Sequence, residues 1–203
     1  MTRGGYLDSG YQYGVDAEAP TTAIDMRGGR GRSGLRWNTG ADLGLLVLRL
    51  VLGVIFMAHG AQKMFGSFGG PGIAGFTRYL EEAGFREAGR LAWITAGTEL
   101  GGGALLVVGL FTPLAAAGLL GVMINVIWLK WSGGFFLAEG KGYEFELALA
   151  AMSAALVFAG AGRTALDRAI PGIRRPLGAG LVCLVIGVAA AVAVHILLRG
   201  PAT

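Results

Sequence analysis

Arg49, His59, Lys63, Glu99, Asn125 and Glu146 are side chains able to do chemistry, and each lies in or beside an otherwise apolar run. A histidine near a carboxylate can carry a proton close to neutral pH, and a lysine or arginine can polarise an oxygen. That combination would suit a quinone head group. His59 and Glu99 would handle protons, and Arg49, Lys63, Asn125 and Glu146 would bind. The same residues also fit a plainer role, as ion pairs and hydrogen bonds that fasten helices together. Residue types alone leave both readings open. A metal is not expected, because one histidine and two carboxylates without a Glu-x-x-His pair fall short of a di-iron bundle. No serine or cysteine nucleophile with a neighbouring base is visible.

These groups need membrane-spanning elements to hold them. The stretch from Leu43 to Phe65 is long enough, at about 1.5 Å per residue, to cross a hydrocarbon core of roughly 30 Å. It nevertheless carries Arg49, His59 and Lys63. An ionisable group at the bilayer centre costs roughly 2.5 to 3.5 kcal/mol on insertion scales, so these three should face a bundle interior or a watery cavity. Further spans are expected over Leu91 to Phe111, Leu114 to Lys130, Tyr143 to Ala161 and Leu177 to Leu198. Between the first two, Phe76, Tyr79, Leu80 and Ala83 repeat at helical spacing opposite Arg78, Glu81 and Glu82, the pattern of a short interfacial helix. Gly97 and Gly101 form a Gly-x-x-x-Gly step for close helix packing. The last span offers almost no polar group besides His195, which marks it as peripheral.

Consecutive spans run antiparallel, so depths can be compared from the helix ends. At about 1.5 Å per residue, His59 lies about 8 Å in, Arg49 about 22 Å, Glu99 about 13 Å, Asn125 about 8 Å and Glu146 about 5 Å. His59, Lys63, Glu99, Asn125 and Glu146 therefore fall in one half of the bundle, with a long Arg49 side chain able to reach Glu99 from below.

Composition agrees with a polytopic membrane protein: 54% of the 203 residues are hydrophobic and only 15% are charged, with a positive mean hydropathy. A net charge of +4 does not point to nucleic acid, because the arginines cluster at the ends of apolar segments, where they favour the cytoplasmic leaflet. Nine Lys and Arg on the side of the N-terminal tail against seven on the other place the N-terminus in the cytoplasm. Residues 1 to 42 read as a mobile tail without the apolar core of a signal peptide, so the first span is expected to serve as its own targeting signal. The lone cysteine, Cys183, lies in an apolar run, which excludes a disulfide within one chain.

The run Leu48-Arg49-Leu50 with Gly53, then His59-Gly60 and Lys63-Met64-Phe65-Gly66, then Glu99 with Gly101 and Gly102, and later Gly160-Ala161-Gly162 with Leu166-Asp167, resembles the DoxX family of small four-helix membrane proteins. The resemblance covers about Leu43 to Asp167. It departs from the family pattern at Ala165, often a serine in relatives, and in the N-terminal tail and the added C-terminal span. Residues and resemblance together lead to the expectation of an all-α integral membrane protein of the plasma membrane: a tail (1–42), a four-helix transmembrane bundle (43–167) like that of the family, and a basic loop with an added fifth transmembrane helix (168–203). The resemblance further implies a place beside redox enzymes. Relatives include the membrane subunit of thiosulfate:quinone oxidoreductases, and actinobacterial members are associated with superoxide dismutase and a thiosulfate sulfurtransferase. The reactive thiol would then come from a partner, since Cys183 is poorly placed to supply one. A membrane scaffold for soluble redox enzymes and a small-molecule or proton transporter are the alternatives, the latter without the inverted repeat or broken helices usual in transporters. No self-contained catalytic motif decides whether the chain is itself an enzyme.

Overall fold

A computed structural model of the chain describes residues 39–137, 141–169 and 176–198. The tail residues 1–38, with their arginines, and Arg174, Arg175 and Arg199 lie outside the described residues. Among the described residues six α-helices follow one another: α1 (Thr39–Phe65), α2 (Gly72–Glu82), α3 (Ala88–Val108), α4 (Thr112–Lys130), α5 (Glu144–Ala159) and α6 (Pro176–Leu198). Among the described residues, four helices are long and apolar enough to cross a membrane, namely α1, α3, α4 and α6. The expected span over Tyr143 to Ala161 folds as the 16-residue α5, shorter than these four. The first helix begins at Thr39 rather than Leu43 and takes in Asp42, whose Oδ1 accepts the Arg163 amide at 2.9 Å.

Two ends of the bundle serve as landmarks. The starts of α1, α4 and α6 and the finishes of α3 and α5 lie at one, called here the Asp42 end; the finish of α1, the start of α3 and the finish of α4 lie at the other, the Lys63 end. The antiparallel α1 and α3 touch backbone to backbone: a Cβ placed on Gly53 would stand 2.7 Å from the Gly103 carbonyl oxygen, and one on Gly103 would stand 2.6 Å from that of Gly53. The pair Gly97 and Gly101 does not do this work, because a Cβ on either would meet nothing within 4 Å. Successive residues turn by about 100°, so those two glycines face away from α1 while Gly103 faces it. Around this contact Leu52, Phe56, Leu106, Leu119, Leu156 and Val157 form the apolar core.

α6 is mostly exposed, as a lipid-facing helix should be, yet it is seated firmly on α4. A Cβ on Gly121 would lie 2.9 Å from the Gly187 carbonyl oxygen, and Ala191 is buried. Its last carbonyl, of Leu198, accepts the Arg86 amide at 2.8 Å, tying its end to the turn between α2 and α3. α2 buries Phe76 and Leu80 and exposes Glu81 and Glu82, the two-faced pattern of the sequence.

At the Asp42 end, α3 stops at Gly109, whose φ of +73° is left-handed and whose amide bonds back to Leu105 and Leu106. Asp167 folds over this turn. Its carboxylate accepts the amides of Phe111 at 2.6 Å and Thr112 at 2.8 Å, and its own amide donates to the Gly109 carbonyl at 2.9 Å. A negative group on the first amides of α4 satisfies donors that the helix cannot and complements its dipole. Gly109→Ala should lower stability by about 1–3 kcal/mol, since alanine is strained at this φ and its Cβ would run into Arg49. Thermal unfolding of the purified protein in detergent measures the loss.

Candidate functional site

Lys63 and Glu99 meet between α1 and α3. Lys63 Nζ donates to Glu99 Oε2 at 2.5 Å, and the Glu99 side chain is 1% exposed. Helical spacing and the close α1–α3 contact explain the pairing. Gly60, one turn before Lys63 on α1, sits against the backbone of Leu100, so the next turn of α1 overlies Glu99. The ammonium also lies 5.4 Å from the centre of the Phe76 ring on α2, within cation–π range. Glu99 Oε1 is buried with no donor among the described residues.

His59 stands on the same helix, half-buried and within electrostatic reach of Glu99 without bonding to it. Its Nδ1 lies 2.9 Å from the Ile55 carbonyl and must donate to it, which leaves Nε2 as the proton-accepting nitrogen of the neutral ring. The Phe145 ring of α5 lies 6.3 Å from the imidazole. Glu146, by contrast, belongs to a second pair. Lys130 Nζ at the end of α4 donates to Glu146 Oε1 at 2.6 Å, so Glu146 ties α4 to α5. Lys130 reads in the sequence as a flanking charge; the only hint of its pairing is a hairpin that must bring its helix end beside the start of α5.

Arg49 is not part of this group, contrary to the expectation that it reaches Glu99 from below. It is 1% exposed and turns toward the Asp42 end, where Nη2 stands 3.4 Å from Thr164 Oγ1 and Asp167 lies within electrostatic range. Gly109 makes room for it: a Cβ there would fall on Arg49 Nη1. Gly109 and Glu99 are ten residues apart on α3, about 15 Å of helix rise, which is beyond the span of the side chain in this direction. Depth counting missed Thr164, which Arg49 reaches, and Asp167, which is named only through the family resemblance and stands at electrostatic range. The loop bearing them folds back over a distance that helix arithmetic does not reach.

Beside the Lys63–Glu99 pair lies a cavity of about 350 Å³, walled by α2, α3, α4 and α6. Its lining is mostly apolar, with Phe76, Leu80, Phe85 and Leu91 among the buried residues, and Lys63, Tyr79, Thr95, Thr98 and Asn125 supply the polar groups. Asn125 Nδ2 donates to the Gly121 carbonyl at 3.2 Å. Of the six candidate residues, then, Lys63 and Asn125 line the cavity, Glu99 stands behind Lys63, His59 is near Glu99, and Glu146 and Arg49 are engaged elsewhere. Thr95 and Thr98 face the cavity from α3 at the spacing of one helical turn. No group of three or more His, Cys, Asp or Glu able to hold a metal is present among the described residues.

An apolar chamber with one ammonium and an amide can hold a flat, mostly apolar molecule bearing an oxygen acceptor. The ammonium is fixed by its carboxylate, so it needs little rearrangement to donate. Breaking a buried pair on one side strands a charge. Lys63→Met should cost about 3 kcal/mol of stability, and the double variant Lys63→Met with Glu99→Leu should lie closer to wild type than the single changes predict. A double-mutant cycle by thermal unfolding measures that coupling.

The DoxX family model matches residues 44–132, from α1 through the end of α4. No curated protein and no solved structure matches the chain.

Proposed function

We propose that this chain, which belongs to the DoxX family through residues 44–132, is the membrane subunit of a redox assembly that passes electrons from a sulfur compound on a partner protein to quinone. The observation that carries this reading is the apolar cavity with the Lys63 ammonium in its wall and Glu99 behind it. In this reading α5 crosses the bilayer with the other four long helices, in the plasma membrane, with the N-terminus in the cytoplasm. Support for α5 as a fifth span comes from its two ends: Glu146 meets Lys130 at one, and the segment just past α5 meets Asp42 through Arg163 at the other.

The chemistry balances with few parts. Two thiols on the partner lose two electrons and two protons and form a disulfide, and a quinone gains two electrons and two protons to become a hydroquinone. Cys183 has no role in this, since one half-buried thiol cannot close a disulfide within the chain. Lys63 donates a hydrogen bond to one carbonyl oxygen of the ring and stabilises the negative charge that grows there on reduction. For each proton the hydroquinone needs, the Lys63 ammonium gives one to the reduced ring oxygen and regains one through Glu99, which His59 resupplies from the half-buried side of α1. Asn125, Thr95 and Thr98 orient the ring against the apolar wall.

In the alternative reading, a scaffold that only holds soluble enzymes at the membrane, the cavity takes no ligand. Binding separates the two readings. Full-length protein in lipid nanodiscs should bind a benzoquinone saturably, and Lys63→Met should weaken that binding at least tenfold, with Asn125→Leu weakening it less. His59→Phe should leave affinity within about threefold while slowing reduction by a coupled thiol donor, because the histidine stands behind Glu99 and not against the ring. Absence of saturable binding in the wild-type protein rules out the quinone role and leaves the scaffold.

A further inference from the structure

The cavity has a direction. α3 is held against α1 by the Gly53–Gly103 contact, and α6 is held against α4 by the Gly121–Gly187 contact. Both α3 and α6 also pack on α4, yet they barely touch each other. α3 is therefore held from its far side by α1 and α6 from below by α4, and a gap between α3 and α6 follows, floored by α4. On the floor, a Cβ at Gly118 would meet only Thr98, at 3.4 Å.

Burial changes across the cavity. Phe76 at 7%, Leu91 at 6% and Ala191 at 4% exposure mark the closed part, whereas Ile94 at 64% and the exposed Ala190 mark the edge. Ile94 is six residues into α3, about 9 Å from the helix start, and so at the depth of acyl chains if α3 crosses the bilayer. Toward the water at the Lys63 end the cavity is roofed by α2 and Phe85, and the Arg86–Leu198 hydrogen bond pins that roof to α6.

We propose that the cavity opens sideways into the bilayer between α3 and α6, and that its ligand is a ring compound carrying a long hydrocarbon chain, with the ring at Lys63 and the chain leaving past Ile94 and Ala190. This rests on the quinone-binding reading and goes beyond it by naming the entry route and the class of ligand. α6 lies beyond the residues matched by the family and reads as peripheral in the sequence; here it becomes one jamb of the opening. A ligand dissolved in the membrane reaches the ammonium without crossing water, and its chain stays in lipid while the ring is held.

A benzoquinone bearing a decyl chain with a terminal diazirine tests this on the full chain in lipid nanodiscs. After irradiation, adducts should map to α3 around Ile94 and α6 around Ala190, and excess unlabelled decylbenzoquinone should reduce them at least tenfold. Ala190→Trp, which fills the opening, should reduce them likewise, whereas Val185→Trp, equally bulky on the exposed face of α6 and outside the cavity lining, should not. Adducts that are competed away but fall on other helices overturn the sideways opening and leave quinone binding in place. Labelling that no excess of competitor reduces shows that there is no saturable ring site, and overturns both.

Discussion

A lysine and a glutamate buried against one another between α1 and α3 set the terms for the rest of this molecule. Taking two charges out of water is costly, and their attraction offsets that cost only when geometry is good. The 2.5 Å contact between Lys63 and Glu99 forms where α1 and α3 lie almost backbone to backbone, an approach that glycine permits at positions 53, 60 and 103. Small residues thus serve the ion pair as well as dispersion packing. The pair in turn leaves a cation in the wall of an otherwise apolar chamber, where low polarity strengthens every interaction it makes.

The opposite end of the bundle is organised by a different set of charges. Asp167 caps α4 through two amides, and Arg49 lies buried beside it under Gly109 and Thr164. Asp167 is spent on backbone amides where a helix begins, a need that every helix terminus in a low-dielectric surround has, while Arg49 Nε and Nη1 are buried without a hydrogen-bond partner among the described residues. The chain therefore has charges at two levels with separate duties: closing turns at the Asp42 end, and pairing helices beside a cavity at the Lys63 end. His59, bound to its own helix at Ile55 and near Glu99, belongs to the second.

Much of the fold could be read from the residues directly. Long apolar runs gave the long helices to within a few positions, because hydrogen bonding of the backbone in lipid leaves helix as the simple solution. The amphipathic α2 followed from spacing. Of the candidate site, Lys63 and Glu99 were legible as members of one half of the bundle, but not as a pair, since rise per residue sets Lys63 near the end of its span and Glu99 about 13 Å in. Arg49 was misjudged because depth says how far in a side chain lies, not which way it turns. Gly97 and Gly101 show the same gap, since a small-residue step marks a possible contact face without saying what faces it.

The sequence by itself determined that this is a helical membrane protein with ionisable groups inside its spans, since hydropathy, span length and the insertion cost of charge are local properties of the chain. Tertiary structure alone decided the partners. Glu146 took Lys130 and not Lys63 or His59, Arg49 took the loop of Asp167, and α6, with scarcely a polar group, became a wall of the cavity. Pairing depends on the rotation of each helix about its axis and on loops that fold back over the bundle. Those are set by packing between distant segments, which no window of sequence contains.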